Sequence, residues 1–448
     1  MEIRDPIHGG IRTTGAEARV IESPWFQRLR GILQLGFTSL TFPGATHTRF
    51  LHSVGVMHVA GQAFDSAFDD APWLVGRQRA RFRQVVRLAG LLHDIGHPPL
   101  SHTSELLFPA VRALGLPCFD GADSEAQAAH EHYTLKLLLD SPLTALIRDA
   151  FVDLAIEPAY VAALLHPSVR VDDGFFEVGD HDLRPILSQL ISSELDADRM
   201  DYLPRDSYFT GASYGRFDSD WLLSHLTHHV DDEGGMHLAI DGRALLTFED
   251  FLLSRYHMFL MVYLHNRTVC YDQLLRRFYG EHKGEVEVPV DPHAWVGFDD
   301  HAVYRTLRSH ERKSPWAARI LQGRPWPLLA ERSPLAADEP THELARALDE
   351  AGTDHLRMTS RGRVSRYHGL YGAGRPSRHT PTIFVIARPR HGKAKAITLA
   401  SATRLFDRYA EPAELDRIYV AEGDVEASAA LLARLRDPLG LEPTEETT

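Results

Sequence analysis

The stretch Leu91-Leu92-His93-Asp94-Ile95-Gly96-His97 closes a predicted helix. Apolar residues Val85, Val86, Leu88, Ala89 and Leu92 recur ahead of it at helical spacing, and Gly96 with Pro98-Pro99 stops the helix. A His-Asp pair at a helix end offers an imidazole nitrogen and a carboxylate side by side. Those donors suit a divalent metal that has to stay Lewis acidic. Upstream, His52 falls on a stripe with Val56, Val59 and Ala63, which turns it inward. Downstream, Asp198 shares a helical stripe with Leu187, Ile191 and Tyr202. A carboxylate on an apolar stripe is costly unless it is paired or metal-bound. His52, His93, Asp94 and Asp198 thus form an ordered set of two imidazoles and two carboxylates, with room left for water and a phosphate oxygen.

Around this set the first 280 residues read mostly as helices, broken by polar segments at 117–123, 167–185 and 231–242. The second break is long enough for a mobile loop, and the third is Gly-rich enough for a hairpin. After Pro289 the texture changes. Strand patterns appear at Ile383–Ala387 and Ile418–Val420, and helical ones at Ala402–Tyr409 and Asp424–Leu435. The expected fold is mainly α, a helical catalytic core over 1–288 with a smaller C-terminal α/β lobe over 381–441. A helical or irregular connecting region, 289–380, lies between them.

The chain has 448 residues and a formal net charge of −13, which argues against a surface built to bind nucleic acid. Its two cysteines, Cys118 and Cys270, fit a reducing cytoplasm. Neither a signal peptide nor a membrane span is expected from the sequence.

The words flanking the metal set carry a resemblance. They are Asp5-Pro6-Ile7-His8-Gly9, Phe26-Gln27-Arg28-Leu29-Arg30, Gln34-Leu35-Gly36, Phe42-Pro43-Gly44-Ala45, Arg49-Phe50-Leu51-His52-Ser53, His93-Asp94-Ile95-Gly96-His97, Ser101-His102, His130-Glu131 and Asp201-Tyr202 through Arg205-Asp206. With the H…HD…D order, they resemble the HD superfamily. The branch is that of the deoxynucleoside triphosphate triphosphohydrolases related to the vertebrate sterile-alpha-motif/HD-domain restriction factor. The resemblance implies hydrolysis of a deoxynucleoside triphosphate to deoxynucleoside and triphosphate. It requires a divalent ion, for which the N/O donors admit Fe, Mn, Zn or Mg.

The resemblance also implies roles. His97 and His102 would face the α-phosphate, His102 donating a proton to the 5′ oxygen, with His130, Glu131 and Glu105 in support; relatives carry aspartate at the Glu105 position. Arg49 and Arg255 would clamp phosphates by bidentate contact. Gln34, Leu35, Tyr202, Asp206 and Tyr263 would contact the sugar, and a tyrosine beneath it would reject a 2′-hydroxyl.

Relatives in this branch can form tetramers whose interfaces bind activating nucleotides, so a homo-oligomer, dimer or tetramer, is expected. Glu22, Gln27 and Arg30 match part of that regulatory site, and Arg243 stands near a cationic position. Asn266, Asp241 and Trp221 replace expected cations, which predicts an altered or lost regulatory site.

Two arginine groups remain. Arg77, Arg79, Arg81, Arg83 and Arg87 read as a solvated helix face. Arg357, Arg361, Arg363, Arg366, Arg375 and Arg378 read as a loop over the nucleotide. Two alternatives to the triphosphohydrolase stay open. One is an HD phosphohydrolase for another nucleotide, such as an alarmone or dinucleotide, or for single-stranded nucleic acid. The other is a nucleotide-binding protein without activity.

Overall fold

The computed structural model describes residues 1–119, 122–231, 235–334, 336–362, 383–389, 393–405 and 413–436. The chain is mainly helical, with small sheets at its edges. Three helices build the centre: Arg49–Ala67, Gly76–Leu92 and Ala197–Thr210. The first packs along both of the others. Its inward face, with Val56, Val59, Ala63 and Phe64, is fully buried, as the apolar spacing requires. Gly55 permits the approach to the third helix, since a Cβ there would overlap the Asp201 carboxylate and the Arg205 guanidinium.

The helix Gly76–Leu92 ends where its motif begins, with His93 as the C-cap. The Thr134 hydroxyl then ties the turn down. It donates to the His93 carbonyl (2.9 Å) and accepts from the Gly96 N–H (3.1 Å). Thr134 lies on the helix His130–Leu139, so this pair of bonds positions His130 as well.

Two sequence expectations are corrected in this region. Asp198 does not share a continuous helix with Leu187 and Ile191. One helix stops at Gln189, and a new one starts at Ala197. Asp196 caps it, accepting from the Arg199 N–H (2.9 Å) and the Ser193 N–H (2.8 Å). Asp198 therefore sits in a first turn, where the helix dipole favours a carboxylate. The arginine run is not a free solvated face either. Arg83 forks onto Asp65 (2.7 Å), Arg81 donates to the Leu154 carbonyl (2.8 Å), and buried Arg87 pairs with buried Glu17 (2.7 Å).

The break at 167–185 is packed: Phe175 stacks on Tyr160 at 3.5 Å, Phe176 is buried, and Glu177–Val178 pairs with His181–Asp182. The predicted hairpin is present as Leu226–Val230 against Met236–Asp241. Strand Phe384–Ala387 adds to it in parallel and pairs in turn with Lys395–Thr398. A second sheet places Ala413–Val420 between Leu328–Arg332 and His355–Gly362. Helices Thr341–Glu350 and Val425–Arg436 cover it, burying Leu344, Leu348, Ile418, Val420 and Leu432 together.

Strand pairing thus crosses the expected limits at 288 and 380. The lobe draws two strands from the 289–380 region, while 384–398 joins the core hairpin. The helix expected at Ala402–Tyr409 is described only to residue 405, with Leu399–Ala402 helical. Arg363, Arg366, Arg375 and Arg378 lie outside the described residues. Arg357 is on a strand, paired with Asp416 at 2.9 Å.

Gly96 supplies a test of this architecture. A Cβ there would overlap backbone atoms of His130 and Thr134, which no rotamer change relieves. Gly96→Ala should cost about 1–3 kcal/mol, as overpacked cores do. Its thermal unfolding midpoint should fall clearly below wild type; an unchanged midpoint would show that the turn and the His130 helix do not meet this closely.

Candidate metal centre and cavity

His52 is buried, and its Nδ1 faces Asp201 Oδ2 at 2.8 Å. His93 Nδ1 faces the Gly90 carbonyl at 2.8 Å. Both rings therefore turn Nε2 toward a common centre shared with Asp94 and Asp198. His52 Nε2 is 3.1 Å from Asp198 Oδ1 and 3.8 Å from Asp94 Oδ2; His93 Nε2 is 3.4 Å from Asp94 Oδ1 and 3.6 Å from Asp198 Oδ1.

These separations fit a divalent cation. Donors about 2.1 Å from an ion lie roughly 3 Å or more apart. The His93 Nε2 atom is buried and has no hydrogen-bond partner, as an unused metal donor would be. The groups at Nδ1 complete the pattern, because metal-binding histidines commonly give their second nitrogen to a carboxylate or carbonyl.

Burial works against a charged His52, but hydrogen bonds to Asp198 and Asp201 outweigh it and raise the ring to about 10. His93 is raised against burial by Asp94 and Asp198. Burial opposes ionisation of Asp94 as well, yet His93 and Arg49 hold it far below its usual range.

A second histidine group adjoins the first. His97 stacks on His130 with ring centroids 4.0 Å apart, and His102 stands edge-on to His97 at 4.9 Å. Glu105 joins two of them: its Oε1 is 2.6 Å from His130 Nδ1 and 3.2 Å from His102 Nδ1. Burial opposes the Glu105 charge, but those two histidines hold it well below the carboxylate range. His130 is raised despite burial, chiefly by Glu105 and then Glu131, which lies 3.4 Å from it. Burial and the charge of Arg49 drive His97 the other way, so it is neutral near pH 7.

The segment leading to His102 is strained. Leu100 and Ser101 both take left-handed φ, 56° and 59°, which costs non-glycine residues about 1–2 kcal/mol each. Buried Asp300 holds it, accepting from Leu100 N–H (2.8 Å) and Leu33 N–H (2.9 Å). Sequence reasoning missed Asp300, which lies in the presumed connecting region.

Both groups open on one cavity of about 460 Å³. Of the predicted residues, Gln34, Leu35, Arg49, His52, Asp94, His97, His102, His130, Asp198, Tyr202, Asp206 and Tyr263 line it. Tyr263 donates to Asp206 Oδ2 (2.7 Å), and His47, which the sequence did not single out, holds Asp206 Oδ1 at 2.7 Å. Arg49 donates to Asp94 and, at 2.6 Å, to Ser101 Oγ.

Arg255 departs from its expected place as a phosphate clamp. It is buried in an ion pair with Glu194 (3.0 Å) and is not among the lining residues. A guanidinium taken out of water requires such a partner. The regulatory candidates are also outside the cavity. Glu22 is exposed, Gln27 bonds Arg30 (2.8 Å), and the Arg30 guanidinium lies 3.5 Å over Phe50. Arg243 is paired with Asp241 at 2.9 Å.

Comparison with known proteins agrees with this geometry. Residues 49–143 match the HD domain family model. An uncharacterized protein of Bacillus subtilis, YwfO, is 33% identical over 271 residues, 59% of this chain and 52% of its own length. The deoxynucleoside triphosphate triphosphohydrolase SAMHD1 homolog of Dictyostelium discoideum is 26% identical over 71% of this chain and 57% of its own. This chain spans about half the length of the curated relatives it matches. A crystal structure of a hypothetical protein from Aquifex aeolicus superposes with a TM-score of 0.70 and 27% identity, covering 96% of this chain and 99% of that one. Among the described residues, no helix is long and apolar enough to cross a membrane. The matched segment begins at Arg49 and contains three of the four converging donors, so residues 49–143 carry an HD domain, and the chain is related to proteins that include a deoxynucleoside triphosphate triphosphohydrolase homolog.

Proposed function

We propose that this protein is a metal-dependent phosphohydrolase that cleaves deoxynucleoside triphosphates to deoxynucleoside and inorganic triphosphate. One observation carries the reading: three of the four metal donors, His52, Asp94 and Asp198, and the three histidines His97, His102 and His130 line one cavity whose wall also holds Tyr202, Asp206 and Tyr263. His52, His93, Asp94 and Asp198 would hold a divalent ion such as Fe, Mn, Zn or Mg. When bound, it would supply Lewis acidity for attack of water on phosphorus.

The chain's own residues supply the rest. Arg49 brings positive charge to the cavity floor. His102, with Nδ1 turned to Glu105, has Nε2 left for the substrate. It donates a proton to the 5′ oxygen as the α-phosphorus–O5′ bond breaks, and water provides the hydroxyl that stays on triphosphate. His130 shares Glu105 and keeps that carboxylate ionised. Tyr263 and Asp206, bonded to each other, bound the sugar, so a 2′-hydroxyl meets a wall already occupied.

A second reading keeps the metal centre and changes the nucleotide. It is favoured by the cavity's modest cation supply, since Arg49 is the one arginine or lysine lining it among the described residues. A product assay separates the two. Metal-loaded protein should release inorganic triphosphate from deoxynucleotides and not from ribonucleotides. Turnover confined to ribonucleotides or dinucleotides would replace the first reading with the second.

Two variants test the centre itself. Asp94→Ala should lose both bound metal and turnover; metal content equal to wild type would remove Asp94 from the ligand set. Asp201→Asn should weaken divalent-ion affinity by about 10–100-fold, the usual effect of losing a carboxylate behind a metal-bound histidine. Competition against a metallochromic chelator reads this directly, with circular dichroism to verify folding. Unaltered affinity would mean that Asp201 does not orient His52.

A further inference from the structure

Asp272 is unexplained by the reaction. It stands on the helix Asn266–Glu281, which packs against the turns Gly36–Leu40 and Ser101–Leu107 and contributes Thr268 and Asp272 to the cavity wall. Its Oδ1 accepts from Thr103 Oγ1 at 2.7 Å, its one hydrogen bond among the described residues. Oδ2 has no partner there, although Asp272 lines the cavity. Burial pushes the carboxyl up to about 6, against the Thr103 hydrogen bond and the charges of Arg276 and His102.

A bare carboxylate is out of place in a cavity for a polyanion, because like charges repel strongly where water is scarce. It is tolerable only against a part of the substrate that is uncharged and carries hydrogen-bond donors. In a deoxynucleotide the phosphates belong with the metal donors and Arg49, and the sugar with Asp206 and Tyr263. The base is the part that remains. The wall suits one: apolar Phe37 and Leu100 line the cavity together with Asp272 and the hydroxyl residues Thr38, Thr103 and Thr268, the mix of apolar and placed polar groups common in small-molecule sites.

We propose that Asp272 is a specificity-determining residue whose free oxygen accepts a hydrogen bond from the exocyclic amine of the substrate's base. The inference rests on the deoxynucleotide reading above. Adenine, guanine and cytosine carry such an amine. Thymine does not, and its carbonyl oxygens would face the carboxylate as a second acceptor. The protein therefore selects amine-bearing deoxynucleotides over dTTP.

Calorimetric binding of the four deoxynucleoside triphosphates to wild type and to Asp272→Asn tests this, with triphosphate release measured separately. Wild type should bind the best amine-bearing nucleotide at least about tenfold more tightly than dTTP, the worth of one charge-assisted hydrogen bond. Asp272→Asn, whose amide donates to a carbonyl, should erase most of that ratio. Asp272→Glu should retain its direction. If the asparagine variant melts early, Asp272→Ser, which still offers Thr103 a hydroxyl, takes its place. An unchanged ratio overturns the proposal, and so does an equal loss for all four nucleotides, which would make Asp272 structural. Discrimination in binding without triphosphate release would retain Asp272's role and reject the reaction; release without discrimination would do the opposite.

Discussion

The carboxylate of Asp201 is wholly buried among His8, His52 and Arg205. Oδ2 meets His52 Nδ1 at 2.8 Å, Oδ1 meets His8 Nε2 at 2.6 Å, and Arg205 forks onto both oxygens at 2.8 Å. Arg205 continues to Asp5 at 2.8 Å. An ion without partners in such a place would cost several kcal/mol, so each member needs the others. Arg205 above all, then hydrogen bonds from His52 and His8, keep Asp201 far below the usual carboxylate range despite its burial. An ionised Asp201 accepts a hydrogen bond from His52 Nδ1–H, an arrangement that would leave the Nε2 lone pair for a bound metal. The N-terminal hairpin, Glu2–Asp5 with Gly9–Arg12, thus takes part in the site although no residue of it lines the cavity.

A cluster of carboxylates and imidazoles open to a cavity is electrostatically unstable on its own. Two devices hold it. Arg49 lies on Asp94 and spans to Ser101, so one guanidinium links the motif turn to the strained segment before His102. Asp300 fixes the other side of that segment by joining Leu33 and Leu100. Backbone strain at Leu100 and Ser101 persists because it is pinned at both ends, the usual condition for strain at a functional site.

The parts visible in sequence are those governed by local periodicity. His52 could be placed because Val56, Val59 and Ala63 mark its face, and His93-Asp94 because apolar spacing ends there. Asp198 was found for a reason that fails in three dimensions: the stripe from Leu187 is interrupted by the cap at Asp196, and periodicity does not register a cap. Arg255 read as a clamp because a sequence does not show that Glu194 waits 61 positions earlier. Asp300 and Asp272 left no local signal at all. Their importance comes from contacts 169–267 residues away in the chain. The same limit explains the domain boundaries. Parallel pairing of Met236–Asp241 with Phe384–Ala387 joins segments whose separation exceeds any window of pattern.

Charge along the cavity has a direction that follows from these contacts. Cationic and metal-donor groups gather where three helices meet at His52, Asp94 and Asp198. Asp206 is held by His47 and Tyr263, and Asp272 by Thr103. Neither acid has an arginine or lysine hydrogen-bond partner among the described residues. With a divalent ion held by the metal donors, the anionic end of a ligand would be attracted there and repelled near Asp206 and Asp272. Its orientation is therefore set by the field of the cavity before any individual contact forms. That polarity depends on the helix Asn266–Glu281 staying against the turns at 36–40 and 101–107. Tyr419 and Arg417 of the lobe sheet bond the backbone at Asn266 and Leu264, just ahead of that helix. The lobe, remote from the metal donors in sequence, thereby braces the wall that gives the cavity its direction.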